Sequence, residues 1–453
     1  MLCRSFWYCA ALPTARDEAR KTPPITRTAL VLLPVQIVFR GAEALLPLLL
    51  ALWFGRSPET DLYYLASALF AVAAAAVSAA FQDSTFIPIL TEVMILDPHS
   101  VKRVAGSILT HTIAYGSIIA VAMGAIAAIL FRVRYGGALF VLAVEMTIPF
   151  TAYVVAVGAR SFYVGVLNAH RKYSAYPIAS GLGIMVAIGA IAVGRAALGV
   201  LILPIALFLG EIVAIAILML ITKAATIDLV WTFERSEPVR RFSRLVLAEV
   251  PGNVLTRINP TVDQLFAGLT SVVSGGTVLR YAMDVASLPT SIAQATVLPV
   301  LLSRMSELAT QKNTNEFRRT VVRALFGVCG LLIAMSLILF VGRRWILRIA
   351  FLHGKMDQGA IDAMANILPY ALLGVAPFGA LLVLARAHVA LQNVRIMIPM
   401  GILNVTLNAG LDFVLFLALG LRGVALSTSL MQLVIAAVFW WLLQRRLRAP
   451  KPA

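Results

Sequence analysis

Glu249, Asn253 and Arg257 recur every four residues in the stretch EVPGNVLTRINPTVD, which runs from Glu249 to Asp263 between long apolar flanks. Read as a helix, the three share one face. Pro251 and Pro260 each remove a backbone donor and bend whatever helix carries them. The same spacing returns in Asn404, Asn408 and Asp412, and again in Val424 and Thr428. In apolar surroundings such groups either line a wet pathway or pair with one another as interhelical glue, gaining about 0.6 kcal/mol a contact. The Glu249 stretch reads as a pathway wall, or as an interfacial acid beside an Arg257 that pairs two helices. The ladder reads as an ion site or as glue. A small hard cation wants several oxygens, at least one of them anionic. Asp412, the amide oxygen of Asn408, the hydroxyl of Thr428 and a backbone carbonyl near Val424 would supply them. Catalysis has no comparable signal. Walker-type, Gly-x-Ser-x-Gly and zinc-protease patterns are missing. The three cysteines and five histidines show no ligand spacing. The chain reads as a transporter rather than an enzyme, with no zinc-like cofactor expected.

Membrane helices must position these groups. Of 453 residues, 60% are hydrophobic and 13% charged, with a mean hydropathy of +0.90. Soluble domains carry about 25% charged residues, and apolar runs of about 20 residues, each able to cross a bilayer, recur along the chain. The expected fold is all-α and polytopic. After a cytoplasmic tail (1–28), six spans are read at roughly 29–54, 61–90, 104–131, 138–167, 174–194 and 198–222. A basic linker (223–244) follows. Six more spans lie at roughly 245–270, 277–303, 320–341, 360–391, 396–419 and 421–444, before a second tail (445–453). Lys and Arg outside the spans concentrate on the side holding both tails and the linker, which places the termini in the cytoplasm. The net charge of +17 is accounted for by that bias, so no nucleic-acid partner is expected. Membrane lipids are, and the chain is expected to work as a monomer.

The two sixes read as copies. Phe86-Ile87-Pro88-Ile89-Leu90 matches Val297-Leu298-Pro299-Val300-Leu301, Tyr176-Pro177 matches Ile398-Pro399, and Leu198-Gly199-Val200 matches Arg422-Gly423-Val424, in the same order and at a near-constant offset. Two parallel six-helix lobes with a site between them is a transporter build.

Phe54-Gly55, Thr60-Asp61-Leu62-Tyr63-Tyr64 and Phe86-Ile87-Pro88 resemble the opening of the lipid II flippase (MurJ/MviN) family. So do Val262-Asp263-Gln264-Leu265-Phe266-Ala267, Arg280-Tyr281-Ala282, Phe351-Leu352-His353-Gly354-Lys355, Arg386-Ala387-His388 and Gly423-Val424-Ala425-Leu426. The likeness covers about 29 to 445. It implies the fold of the superfamily that also holds the multidrug MATE exporters, and alternating access for an undecaprenyl-diphosphate-linked sugar in the bacterial inner membrane. Lipid II leads, with an exopolysaccharide or O-antigen intermediate second and a cation-coupled drug exporter third. Departures accompany the likeness. Ala71 to Ala76 stand where the family shows an arginine pair, Asp284 replaces an arginine after Tyr281-Ala282-Met283, and two further C-terminal helices of many members are absent.

A diphosphate suits arginine, whose fork binds phosphate oxygens bidentately. The arginines inside spans that qualify are Arg40, Arg257, Arg280 and Arg386, with Asp61 and Asp284 as acids of the same cavity. Arg40 aligns with a basic family position. Arg280, one turn from Asp284, would return part of the missing charge, or else snorkel to head groups. Arg386 otherwise faces the cytoplasm, and Asp61 otherwise caps its own helix. The cavity is expected between spans one, two, seven and eight. The resemblance also implies a sodium site of Asp263, Asn408, Asp412, Val424 and Thr428, which names sodium as the coupling ion.

Overall fold

The computed structural model describes residues 45–448 apart from 82–84, 171, 226, 228, 271, 273, 297, 312, 392 and 394–395. All regular structure among the described residues is helical. The first half contains α1 (Leu45–Phe54), α2 (Pro58–Ser78, extended by a tighter turn, Ala79–Phe81), α3 (Phe86–Leu96), α4 (Val101–Arg134), α5 (Gly137–Ala169), α6 (Ala175–Leu198) and α7 (Ile202–Ala224). The second contains α8 (Glu237–Arg257), α9 (Asn259–Ala267), α10 (Gly275–Thr296), α11 (Leu298–Thr310), α12 (Thr314–Phe351), α13 (Gln358–Leu372), α14 (Val375–Ala390), α15 (Met397–Leu419) and α16 (Leu421–Arg448). Helices α2, α4, α5, α12, α15, α16 and the α6–α7 stretch are long and apolar enough to cross a membrane. Helices α13 and α14, bent by 41° at their junction, pass that test together.

Packing follows the halves. Helices α2 and α4 to α7 pack chiefly on one another, α10 to α16 on one another, and α8 lies against both α2 and α15. Aromatic rings fasten α2 to α5, with Phe70 stacked on Phe150 at 5.2 Å between centroids. Such a ring pair adds about 0.5–1.5 kcal/mol to the area it buries.

Several breaks fall where proline chemistry puts them rather than where hydropathy alone does. The second expected span is not continuous to Leu90. It ends at Phe81, and Phe86-Ile87-Pro88 opens a separate helix. Leu298-Pro299 does the same in the second half, so the repeated motif is a fresh helix start with proline in its first turn, where no donor is lost. The seventh span divides at Ile258, two residues before Pro260, while α8 runs through Pro251. Helix α8 starts at Glu237, so the connection after α7 is shorter than the basic linker expected. Helix α12, at 38 residues, takes in Arg343, Arg344 and Arg348, expected in a loop. The turn equivalence also shifts. Gly199 and Gly420 end α6 and α15 with nearly identical backbone angles (φ +54° and +59°, ψ −135° and −134°), so Gly420 rather than Gly423 is the structural partner of Gly199. Both φ values lie in the region glycine enters without a Cβ clash.

Candidate functional site

At the end of the bundle away from the linker, the two halves are tied together through backbone groups. The α1–α2 turn and the α12–α13 turn interlock. Lys355 N–H donates to Leu52 O at 3.1 Å, and Gly55 (φ +63°) and Gly354 (φ +64°) lie so close to the opposite strand of chain that a Cβ would come within 2.3 Å of Lys355 O or 2.1 Å of Leu52 O. Two of the family-like motifs, Phe54-Gly55 and His353-Gly354-Lys355, therefore meet each other. Arg56 pairs with Asp357 at 2.7 Å, and Arg134 donates to Leu265 O at 3.2 Å.

Asp61 completes this seam in an unexpected way. Its own helix is capped by Ser57, whose hydroxyl accepts from Thr60 N–H at 3.2 Å. The Asp61 carboxylate instead receives the N–H of Thr277 at 2.5 Å, the Thr277 hydroxyl at 2.7 Å and the N–H of Gly276 at 3.4 Å. Those are orphan donors of the first turn of α10. Asp61 thus caps a helix of the other half, where the positive end of the helix dipole adds to the hydrogen bonds. Beside it, Gln264 donates to Gly276 O at 3.2 Å.

At the linker end, α8 holds the first half. Thr85 donates to Glu249 at 2.5 Å, Arg241 pairs with Glu92 at 2.8 Å, and Phe242 meets Phe81 and Phe86 at 5.9 Å. The connecting chain lies along α4: Ser107 donates to Glu234 O at 2.7 Å, and Phe233 stacks on His111 at 4.1 Å. Glu249 is therefore engaged with the first half at Thr85. Arg257 is exposed at the end of α8, and Arg386 is exposed on α14. Arg40 lies outside the described residues. So does most of the first expected span, from 29 to 44, one of the four walls of the expected cavity.

The described cavity that holds candidate residues lies inside the second half. It has a volume of about 270 Å³ and is walled by α9, α10, α13, α14 and α16. Arg280 and Asp284 both line it, joined Nε to Oδ1 at 3.0 Å. The Arg280 guanidinium also stands 5.9 Å from the centre of the Tyr64 ring. It is held by an acid and an aromatic face rather than snorkelling.

The ladder residues come together completely. Asn408 donates through its amide nitrogen to Asp263 and to Asp412, both at 2.9 Å. Thr428 donates to Asp263 and to Val424 O, both at 3.3 Å. Ser427, unremarked in the sequence reading, donates to Asp412 and to Val424 O. Asn408 and Asp412 have 0% exposure, Asp263 8% and Thr428 9%. One turn along, Asn259 donates to Asn404 at 2.6 Å, so α9 and α15 run side by side with two amide rungs in register. Two buried carboxylates stand together here with neutral hydrogen-bond partners. Burying two like charges without a counter-ion is strongly unfavourable, so the cluster needs either a cation or a proton. The amide oxygen of Asn408 is buried with no hydrogen-bond partner, which fits a cation: it is an oxygen ligand already desolvated. With the amide turned over, this oxygen would join Asp263, Asp412, Thr428 and the Val424 carbonyl in the oxygen set a small alkali cation takes; as it stands, the Asn408 nitrogen faces both carboxylates.

In the first half, the residues Arg160 and Glu211 form a second intramembrane charge cluster, paired at 2.5 Å, beside a cavity of about 280 Å³. Neither residue is among the candidates of the sequence analysis.

The family model described as "Lipid II flippase MurJ" matches residues 50–453. Among solved structures, "Lipid II flippase MurJ, inward closed conformation" is similar over 92% of this chain and 87% of its own, at 19% identity and a TM-score of 0.77. An inward-facing multidrug resistance MATE transporter of the MOP superfamily matches over 92% and 98%, at 15% identity and 0.72. A MOP superfamily transporter from Pyrococcus furiosus, described as having a binding pocket of reverse polarity, matches over 94% and 96%, at 16% identity and 0.65. No curated protein sequence matches the chain significantly.

Proposed function

The chain belongs to the lipid II flippase MurJ family, and from that premise we propose that it turns over a polyprenyl-diphosphate-linked saccharide, lipid II foremost, across the bacterial inner membrane by alternating access. The observation that carries this reading is the seam between the halves. It combines hydrogen bonds such as Asp61 to the first turn of α10 and turn-to-turn contacts with an apolar cluster shared by the two halves, in which Tyr64 meets Tyr281 edge-on at 5.6 Å. Rocking one half on the other breaks such contacts while leaving each half's packing intact. The positive-inside pattern puts the termini and the α7–α8 connection in the cytoplasm, so this seam closes the opposite face.

In this reading Arg40 and Arg280 take the diphosphate, Arg257 stands at the break between α8 and α9, and Arg386 serves the cytoplasmic surface. Arg280 is available only when Asp284 has another partner. The protein acts as a transporter and not as an enzyme. Its driving force is a sodium gradient, with the ion carried at Asp263, Asn408, Asp412, Thr428 and the Val424 carbonyl. Those groups desolvate and hold the cation, and Ser427 orients the Asp412 carboxylate.

A second substrate reading rests on Ala71 to Ala76 and on Asp284, which leave less positive charge than the family pattern and favour a different lipid-linked saccharide, an exopolysaccharide or O-antigen intermediate. Complementation of a strain depleted of its own lipid II flippase separates the two. Rescue supports lipid II. Failure to rescue, with normal expression and membrane insertion, removes it from first place.

A further inference from the structure

The cavity in the second half and the carboxylate cluster share walls. Asp263 and Thr428 belong to both, while Asn408 and Asp412 sit behind them with 0% exposure. On the wall of the same cavity stand Arg280 and Asp284, whose side chains keep 42% and 24% of their exposure. The walls of the same cavity also carry neutral hydroxyls. Ser287 and Thr290 give their hydroxyl protons to backbone carbonyls of α10 at 2.8 and 2.7 Å, and Ser429 gives its own to Tyr370 O at 2.6 Å. Spent as donors, these hydroxyls offer lone pairs to whatever occupies the cavity. A cavity with hydroxyl acceptors on its walls and carboxylates at its inner end accepts a cation that is shedding water.

We infer that this cavity is the entry vestibule of the cation and that Asp284 is its outer binding position, where an arriving alkali cation replaces the Arg280 guanidinium as the carboxylate's partner. The inference rests on the reading of the inner cluster as a sodium site. It gives a purpose to the acid that stands where the resemblance leads one to expect an arginine. It also joins ion to substrate: a cation on Asp284 releases Arg280, the same side chain proposed to take the diphosphate. Asp284 and Arg280 then act with opposite signs on one ion, the acid drawing it in and the arginine holding it off.

The test is equilibrium binding of ²²Na⁺ to the purified full-length protein in lipid nanodiscs, at constant ionic strength set with choline chloride. Asp284→Asn is expected to weaken binding about 10-fold, the size of one full charge acting across a partly buried gap. Arg280→Gln is expected to tighten it by a comparable factor, and Asp284→Glu to stay near wild type. A purely structural pair would move both neutral variants in the same direction, since each leaves one partner unmatched. Equal or same-direction shifts in Asp284→Asn and Arg280→Gln, with Asp412→Asn still abolishing binding, overturn the vestibule and leave the inner site standing. A wild-type protein that binds no ²²Na⁺ overturns the inner site itself.

Discussion

Each half of the molecule buries acid among apolar helices, and the two halves neutralise it differently. In the first, Glu211 meets Arg160 at 2.5 Å, and the pair is electrically closed. In the second, Asp263 and Asp412 share the amide of Asn408, with no arginine or lysine among their hydrogen-bond partners in the described residues. A closed pair can hold a bundle together indefinitely. Two carboxylates around one neutral amide hold together only with something positive added, and something added can also leave. The contrast sets a closed ion pair apart from a carboxylate pair that still requires a positive partner.

The largest effect that would test this contrast comes from Asp412→Asn. It removes one of two like charges and one anionic ligand at once, so sodium-dependent transport in proteoliposomes is expected to be lost entirely. The thermal midpoint in sodium-free buffer is expected to hold or rise, since repulsion is relieved. A wild-type protein indifferent to a sodium gradient would return the ladder to the role of interhelical glue.

Glu211→Gln should give the opposite pattern. It strands the Arg160 guanidinium inside the first half and is expected to destabilise the protein by roughly 3 kcal/mol, the low end for a broken buried pair. The low end applies because the two side chains keep 17% and 15% of their exposure. The thermal midpoint in detergent reports the loss, and the double variant Arg160→Met/Glu211→Leu is expected to regain most of it. A Glu211→Gln protein as stable as wild type would mean the first-half pair is not structural, and the contrast would fail.

These two sites also show what the sequence discloses and what it hides. Asn404, Asn408 and Asp412 are legible because a period of four on an apolar helix puts them on one face. Thr428 and Val424 follow from the same rule. Ser427 is not legible: in the run Ser427-Thr428-Ser429 any hydroxyl could turn inward, and only packing of α16 against α13 and α15 decides. Arg160 and Glu211 are 51 residues apart in different spans, and only the contact between α5 and α7 pairs them. Long apolar spans were legible from hydropathy at α2, α4, α5, the α6–α7 stretch, α12, α15 and α16. The breaks at Phe81, Ile258 and Leu298 were less so, because proline is tolerated in a helix's first turn and the chain gives no local sign of which turn is first. Asp61 shows the limit most clearly. An acid in the first turn of α2 is read as that helix's own cap, and nothing nearby points to a helix start 216 residues away.

Asp61→Ala tests that seam. The cap across the halves should be worth about 1–2 kcal/mol, small beside the Glu211 loss but acting only on the state in which the halves touch at this end. Spin labels on the α1–α2 and α12–α13 turns are expected to show a shift towards separated distances of about 5- to 30-fold in population ratio. The thermal midpoint should move little, because each half keeps its own packing. An unchanged distance distribution would make the Asp61 contact incidental.

The smallest effect is expected from the most visible contact of the same seam. Arg56 and Asp357 form an ion pair at 2.7 Å, but the Asp357 side chain is 52% exposed, and pairs of this kind contribute about 0–1 kcal/mol. Asp357 has a second duty, since its other carboxylate oxygen accepts from Ala360 N–H at 3.3 Å and caps α13. The two partners are therefore unequal. Arg56→Ala is expected to leave the spin-label distances and the thermal midpoint within error of wild type. Asp357→Ala should lower the midpoint by the equivalent of about 1 kcal/mol, through the lost cap rather than the lost ion pair. Raising the salt concentration should leave the wild-type seam closed, since its stronger members are backbone N–H groups and the close approach of Gly55 and Gly354. If Arg56→Ala instead opens the seam as far as Asp61→Ala does, charge pairing and not backbone fit is what closes this end of the protein.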